Sequence, residues 1–149
     1  MDNAEVLIKA DGFGRRALSE YESKKLLSSY GVPVVREVIA RTPAEAVAAA
    51  GDIGFPVVLK GLGSTLLHKT ERGLVHLNLT GDETVRKAAA AIEAEAKDEL
   101  EGILVQPYLS GRREFVAGLS YDPVFGPAVM FGVGGIFTEA LSDISLRIA

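Results

Sequence analysis

The sequence contains no cysteine and only two histidines, and these absences exclude several kinds of chemistry. Without cysteine the chain can form no disulfide, no thiolate nucleophile and no thiolate metal site, which fits a reducing compartment. No apolar run approaches the roughly 20 residues that a membrane-spanning helix needs. The acidic N-terminus also lacks the pattern of a signal peptide. We therefore expect a soluble, cytoplasmic protein that does not enter a membrane.

A strongly basic surface is also missing. The formal net charge is -4, from 20 acidic and 16 basic residues, which argues against binding to nucleic acid. The nucleotide-binding pattern G-x-x-x-x-G-K-[ST] does not occur, and no pair of carboxylates has a spacing typical of a metal site. What the chain does have is length and apolar content, since 149 residues with 48% hydrophobic side chains can bury a core.

Helix and strand patterns alternate through the first two thirds of the chain. Ser19 and Glu22 form a capping box that predicts a helix ending at Gly31, and Thr42 predicts a second helix that stops at Gly51. Asp82 is expected to cap a third helix. With these helices, the periodicity predicts strands over residues 34–40, 55–60, 74–79 and 102–108. The order β-α-β-β-α-β is the split βαβ pattern, which gives an antiparallel sheet with helices on one face.

The last third has a different texture, which predicts a second antiparallel sheet. Strands are expected over residues 114–120 and 127–131 around a turn at Asp122, and residues 136–140 resume an extended pattern. The glycines of residues 132–135 either let the backbone approach a phosphate or simply connect two strands. We therefore expect an α+β protein with a leader (1–18), a first subdomain (19–110) and a second, incomplete subdomain (111–149).

The segment FPVVLKGLGSTLLHKTERG, residues 55–73, concentrates the groups that could bind and transfer phosphate. Lys60 ends an apolar strand, so its ammonium could meet an anion at the strand edge. Gly61 and Gly63 could leave backbone N–H groups open to phosphate oxygens. His68 can act as a base, a ligand or a nucleophile near neutral pH. The alternative is a solvated lysine at a strand end and a surface histidine, and spacing alone does not choose between the two.

A second candidate region follows the strand at residues 102–108. The segment Gln106-Pro107-Tyr108 resembles an interdomain hinge, where backbone groups could bind an adenine edge. Glu114 could accept hydrogen bonds from both ribose hydroxyls because a carboxylate has two oxygens, although an exposed acidic residue is the simpler interpretation. His76 lies in an alternating pattern and is expected on a sheet face.

Several segments, taken in order, resemble one family. They are ESKKLLSSYGVPV, GFPVVLK, HKTERGLVHLNL and GILVQPYLSGRREFVAGLSYDPVFGPAVMFGVGGIFTE. Together they resemble the ATP-grasp domain of NDP-forming acyl-CoA synthetases, the group that contains the β subunit of ADP-forming acetate–CoA ligase. The resemblance covers roughly residues 18–149 and implies the ATP-grasp fold. It departs from the family at Gln106-Pro107, where ATP-grasp hinges often have Glu-Lys.

The resemblance implies a role for each candidate residue. Lys60 would bind the phosphates of ATP or ADP, and Val105, Gln106 and Tyr108 would belong to the adenine hinge. Glu114 would contact the ribose. His68 would carry a phosphoryl group between a second phosphohistidine and the nucleotide.

The resemblance also implies a reaction and partners. The family converts an acid, CoA and ATP into acyl-CoA, ADP and phosphate, with Mg²⁺ whose ligands would lie outside this chain. The expected partner is a CoA-binding domain or α subunit, and a homo- or hetero-oligomer is possible. Two alternatives remain open: a non-catalytic ATP-grasp regulatory module of a protein lysine acetyltransferase, and a ferredoxin-like sheet that binds a small ligand or a partner.

Overall fold

The computed structural model describes residues 18–64, 66, 69–111, 114–134 and 144–148. It forms two compact units, of which one ends at Tyr108 and the other begins at Leu109. The described elements of the first unit are α1 (Glu20–Ser29), β1 (Val38–Ala40), α2 (Pro43–Ile53), β2 (Val57–Leu62), β3 (Val75–Leu79), α3 (Asp82–Ala96), a 3₁₀ turn (Lys97–Glu99) and β4 (Gly102–Pro107). None of the described helices is long and apolar enough to cross a membrane.

The four strands of the first unit form one sheet in the order β1-β4-β2-β3, and all three pairings are antiparallel. β4 therefore lies between β1 and β2, and β2 lies between β3 and β4. This interleaving is the split βαβ arrangement, with α2 connecting β1 to β2 and α3 connecting β3 to β4. The predicted α+β class and element order are confirmed.

Helices α2 and α3 cover one face of this sheet. Small side chains on both helices allow them to approach the sheet closely, and Val85 and Ile92 of α3 fill the space between. The sheet contributes alternate residues of its central strands to this core, including Val57, Leu59 and Val105. Because side chains alternate along a strand, the residues between them point to the opposite face.

The start of α1 is as predicted. Ser19 accepts a hydrogen bond from the backbone N–H of Glu22 at 3.3 Å, and the Glu22 carboxylate accepts one from the backbone N–H of Ser19 at 2.9 Å. The Thr42 cap of α2 is also confirmed, since its hydroxyl accepts from the Glu45 N–H at 3.2 Å. Both caps depend on residues within one helical turn, which is why the sequence reveals them.

Two helix boundaries differ from the prediction. α2 continues through Gly51 and ends at Gly54, whose φ of +93° favours glycine and whose N–H donates to the Ala50 carbonyl. The weak helix propensity of Gly51 is overridden because Ile53 still packs against the core. Asp82 is the first residue of α3 rather than its cap, since Gly81 holds that position and Thr84 bonds both of its backbone groups.

The strands also differ in extent. β1 is shorter than the predicted 34–40, since only Val38–Ala40 pair with β4. β2 runs two residues beyond Lys60, since Gly61 and Leu62 continue to pair with β4.

β3 contains a bulge that breaks the predicted alternation. Leu77 and Asn78 together oppose Val58, and Asn78 has a φ of +54°. Leu77, within this bulge, is 60% exposed. His76 lies opposite Leu59, as a sheet-face residue, and its Nε2 is buried without a hydrogen-bond partner among the described residues.

The second unit contains β5 (Phe115–Asp122), β6 (Gly126–Val133) and β7 (Ile144–Ile148), which form an antiparallel sheet in sequence order. The Asp122 carboxylate accepts from the N–H groups of Val124 and Phe125 at 2.8 and 2.9 Å, which stabilises the turn between β5 and β6. The predicted second sheet and its hairpin are confirmed. The strand expected at residues 136–140 lies outside the described residues, and β7 was not expected.

Candidate functional site

Lys60 lies on the face of the first sheet that points away from α2 and α3. Val57 and Leu59 of β2 belong to the core under these helices, so the alternation places Val58 and Lys60 on the other face. The register confirms this, because Val58 lies opposite Gln106 on β4 and residues that face each other share a side of the sheet. Lys60 and Gln106 therefore approach the same surface.

Helix α1 brings two more charged side chains to this surface. The Glu20 Oε1 atom lies 2.7 Å from the Lys60 Nζ and 2.8 Å from the Lys24 Nζ. The Lys24 Nζ also donates to Glu37 Oε2 at 2.8 Å and to Gln106 Oε1 at 2.9 Å. We call the five residues joined in this way the lysine cluster: Glu20, Lys24, Glu37, Lys60 and Gln106.

The two lysines of the cluster differ in how their donors are used. An ammonium group has three N–H donors. Those of Lys24 have three acceptors, in Glu20, Glu37 and Gln106, so this side chain is held from three directions. Lys60 has one acceptor among the described residues, the Glu20 carboxylate, and its side chain is 22% exposed. Lys60 is therefore the member of the cluster that can bind an added anion.

Charge pairing shifts the pKa values of two members of the cluster, Glu20 and Lys24. Partial burial alone would raise the pKa of the Glu20 carboxyl, but hydrogen bonds and charges from Lys24 and Lys60 outweigh it and hold the pKa below its usual value. Burial would likewise lower the pKa of the Lys24 ammonium, yet Glu20 and Glu37 raise it. Glu20 and Lys24 are consequently charged near neutral pH and attract each other.

The predicted adenine hinge occupies the end of β4. Val105 is fully buried, and its strand position is paired on both sides, with Val38 and with Leu59. Gln106 is half-buried and directs its side-chain oxygen to Lys24. The Tyr108 N–H donates to the Pro56 carbonyl at 2.9 Å. The structure thus brings Gln106 together with Lys60, whereas Val105 supports the strand from within the core.

The prediction that Gly61 offers its backbone N–H to a phosphate oxygen is wrong. Its backbone N–H donates to the Leu74 carbonyl at 2.8 Å within the extended β2, so it is not open to a phosphate oxygen. At Gly63, glycine is required for packing, because a Cβ at this position would overlap the carbonyl oxygen of Glu99. These two glycines allow close packing of the backbone next to Leu66.

His68 lies outside the described residues, so its predicted role stays a prediction. Described residues on both sides of it are anchored. Leu66 is buried in the core, and Arg72 makes a paired hydrogen bond to Glu99 at 2.9 and 3.2 Å and an ion pair with Glu95. The Lys69 carbonyl accepts from the Leu74 N–H at 2.8 Å.

Glu114 belongs to the second unit, where it is exposed and directly precedes β5. Its backbone carbonyl accepts from the Gly134 N–H at 2.8 Å. Gly134 approaches the backbone of Glu114 and Phe115 so closely that a Cβ would lie 3.0 Å from the Phe115 carbonyl carbon. Of the glycines in residues 132–135, Gly132 lies inside β6, and Gly135 is outside the described residues. The predicted ribose contact of Glu114 remains a prediction.

Sequence reasoning did not identify Glu20, Lys24 or Glu37. One signal was available, because Glu20 and Lys24 are four residues apart with the acid first, the spacing of a stabilising pair on a helix. Their contact with Lys60 and Gln106 depends on where α1 meets the sheet. Within the described ranges, no three His, Asp or Glu side chains are grouped so that they could hold a metal ion.

Comparisons with known proteins agree with this fold. The family model described as an ATP-grasp domain matches residues 9–149. The β subunit of ADP-forming acetate–CoA ligase I from Pyrococcus furiosus is 41% identical over 150 residues, which cover 97% of this chain and 64% of that subunit. This chain therefore spans less than two thirds of that relative.

Solved structures give the same result. The acetyl-coenzyme A synthetase 1 of Ca. Korarchaeum cryptofilum, in complex with coenzyme A, Ca-AMPCP and HgCl+, is 44% identical with a TM-score of 0.92. The match covers 99% of this chain and 67% of that one. The same enzyme with coenzyme A and Mg-AMPPCP gives 42% identity and a TM-score of 0.86, and covers 99% and 64% of the two chains. On this sequence match and this fold, the chain belongs to the ATP-grasp domain family.

Proposed function

We propose that this chain is the nucleotide-binding part of an ADP-forming acyl-CoA synthetase. The observation that carries the proposal is the Lys60 ammonium, which lies on the sheet face away from α2 and α3 with one described acceptor. The fold that carries Lys60 matches the structure of a synthetase in complex with a nucleotide analogue, with a TM-score of 0.92. The overall reaction would join an acid and CoA while ATP is cleaved to ADP and phosphate.

In this proposal Lys60 binds the nucleotide phosphates. A lysine fits that task because its compact positive charge and unshared N–H donors can meet phosphate oxygens. Gln106 and Tyr108, which follow the buried Val105 at the end of β4, would form the adenine edge of the site, and Glu114 would contact the ribose. The described residues do not offer a magnesium site, so Mg²⁺ would be held by groups beyond them.

His68 would be the phosphoryl carrier. In the direction of ATP synthesis, one of its ring nitrogens would accept the phosphoryl group from a phosphohistidine of the partner, forming a new P–N bond as the old one breaks. An oxygen of the ADP β-phosphate would then attack the phosphorus, and the histidine would leave. The P–N bond makes this transfer workable in either direction.

The partner would be a subunit or domain that binds CoA, as the β-subunit name of the Pyrococcus furiosus relative suggests. The acid substrate would bind there too, so its identity does not follow from this chain. None of the observations above favours the alternative of an acetyltransferase regulatory module.

The experiment measures nucleotide binding and phosphohistidine formation together. Calorimetric titration of Mg·ADP into the chain should show one site, and Lys60→Ala should weaken it at least tenfold, because the main phosphate charge is lost. The matched control is Lys87→Ala, which removes an exposed lysine on α3. With a CoA-binding partner subunit added, labelled ATP should give base-stable, acid-labile phosphate on the protein.

Two results would contradict the proposal. If the Lys60→Ala variant binds Mg·ADP as tightly as the unmodified chain, Lys60 does not belong to the nucleotide site. If the His68→Ala variant keeps full ligase activity in the reconstituted enzyme, His68 is not the phosphoryl carrier.

A further inference from the structure

The lysine cluster contains two residues of α1, Glu20 and Lys24, to which the proposed function gives no task. We infer that both are positioning residues of the nucleotide site, with Lys24 holding Glu20 and Glu20 holding the Lys60 ammonium. The inference rests on the proposed function, in which Lys60 binds phosphate. It adds a hydrogen-bonded chain that joins the phosphate-binding lysine on β2 to Gln106 at the adenine edge on β4.

The chain of contacts begins at Lys24. Its three acceptors come from three parts of the unit: Glu20 on its own helix, Glu37 just before β1, and Gln106 on β4. Glu37 has a side chain only 7% exposed, so this ion pair is largely shielded from water. Shielding strengthens the attraction between the two charges. Lys24 therefore fixes both the helix and the Gln106 side chain to one surface.

The series of hydrogen bonds continues from Lys24 to Lys60 through a single carboxylate oxygen of Glu20. Glu20 Oε1 accepts from Lys24 at 2.8 Å and from Lys60 at 2.7 Å. Lys60 keeps two further N–H donors for which the described residues supply no acceptor. A phosphate oxygen could therefore bind Lys60 without displacing Glu20.

The Glu20 carboxylate also opposes phosphate binding, because it repels the phosphate and occupies one N–H donor of Lys60. A partly exposed ion pair changes an equilibrium by about fivefold at most. Ordering a free lysine side chain costs a factor of about ten or more in a binding constant. The contact with Glu20 already orders the Lys60 side chain in the unbound protein, so nucleotide binding does not have to order it. Positioning is therefore the larger effect, and loss of Glu20 should weaken binding.

The charge of the cluster explains why Lys24 accompanies Glu20. The ion pairs of the cluster join two lysines to two carboxylates, so their formal charges sum to zero. Without Lys24, the cluster would hold two carboxylates and one ammonium group, and it would present a net negative charge to an incoming polyphosphate. Lys24 would then affect both ends of the nucleotide, since it also holds Gln106.

The test compares adenosine, ADP and ATP, each titrated with Mg²⁺ into the whole chain. Glu20→Gln should bind ADP and ATP about five- to tenfold more weakly and adenosine as before, because only the phosphate end loses its positioned lysine. Lys24→Met should weaken all three ligands. The matched control is Glu83→Gln, which removes the acid of an exposed i, i+4 pair with Lys87 in the first turn of α3. It should change none of the three affinities.

A measurement without ligand tests the positioning directly. In lysine-labelled protein, the Lys60 ammonium should give a slowly exchanging NMR signal that Glu20→Gln removes and Glu83→Gln preserves. A Lys60 signal unaffected by Glu20→Gln would overturn the inference. So would ADP binding that is unchanged or tighter in Glu20→Gln, which would make Glu20 a competitor of phosphate. Equal weakening of adenosine and ADP in that variant would also overturn it, since that indicates a purely structural role.

Failure of the proposed function has a different signature. In that case Lys60→Ala would bind ADP as tightly as the unmodified chain, or the chain would bind no nucleotide, while the NMR signal would still report on the Glu20–Lys60 contact.

Discussion

At the scale of single residues, the lysine cluster is where charge, burial and hydrogen bonding meet. Glu20 connects two ammonium groups through one oxygen atom, and Lys24 uses all its donors. The side chains of Glu20, Lys24 and Lys60 are 21% to 29% exposed, so solvent weakens their attraction without removing it. The cluster should therefore contribute modestly to stability and in a way that depends on pH.

We expect acid to destabilise the protein partly through Glu20. Its pKa is lowered in the folded state, so its contribution is present above the unfolded value, near 4.5, and is lost as the pH falls through the folded value. Unfolding by urea at pH 7 and at pH 3 should show that Glu20→Gln loses less stability on acidification than the unmodified chain. The expected difference is about 1 kcal/mol.

The control for this measurement is Glu83→Gln, whose carboxylate and partner are both more than two thirds exposed. Its pH dependence should match that of the unmodified protein. The same acid-induced loss in Glu20→Gln and the unmodified chain would show that the Glu20 ion pairs do not contribute to folding. On the alkaline side, the raised pKa of Lys24 predicts a contribution lost only as the pH rises through its folded value, above the usual 10.5.

At the scale of elements, close packing shapes the backbone at the end of β2, where Gly61 does not form the expected open phosphate loop. Gly61 continues the strand, and Gly63 passes against the Glu99 carbonyl at the end of the 3₁₀ turn. Leu66 enters the core next to them. The described backbone at Gly61, Gly63 and Leu66 is thus held by close contacts.

Two glycine substitutions should separate close packing from simple flexibility. Gly63→Ala should destabilise the protein by about 1–3 kcal/mol, because the added methyl group would force the backbone away from Glu99. Gly51→Ala lies in the exposed interior of α2 with nothing within 4 Å of the new atom, and should stabilise by about 0.5–1 kcal/mol. Thermal unfolding of both variants would measure this, and a neutral Gly63→Ala would contradict the packing argument.

At the scale of the whole molecule, the two units differ in how much apolar surface they bury. The core that α2 and α3 form with the sheet is drawn entirely from the first unit, between Ala40 and Val105. In the second unit, Ala128 is the one described apolar side chain that is buried, while Phe115, Leu119 and Phe131 are each more than half exposed. Burial of apolar surface is the main source of folding free energy, so the first unit should be the more stable one.

We expect a chain that ends after Tyr108 to fold. It should retain a cooperative thermal transition and most of the helical circular dichroism, because the three described α-helices and the described core lie before that residue. The isolated segment from Leu109 onward serves as the comparison and should show no cooperative transition. Gradual, non-cooperative melting of the shortened chain would mean that the second unit supplies stability to the first.

The candidate site was predictable to different degrees along the chain. The sequence placed Lys60 at the end of an apolar strand and Gln106 near the end of another, and the structure brings them to one sheet face. The supposed phosphate loop at Gly61 was wrong because a glycine pattern does not distinguish an open loop from a close backbone contact. Glu20, Lys24 and Glu37 were missed because a charged residue on a helix or strand end resembles any solvated one.

The sequence by itself determined what depends on near neighbours. The Ser19–Glu22 capping box, the Thr42 cap and the order of helices and strands follow from residues within a few positions of one another. Only the tertiary structure decided which distant side chains meet, since Glu20 and Lys60 are 40 residues apart and Lys24 and Gln106 are 82 apart. Local hydrogen bonds are set by chain geometry, whereas these contacts depend on sheet register and on the surface that α1 covers.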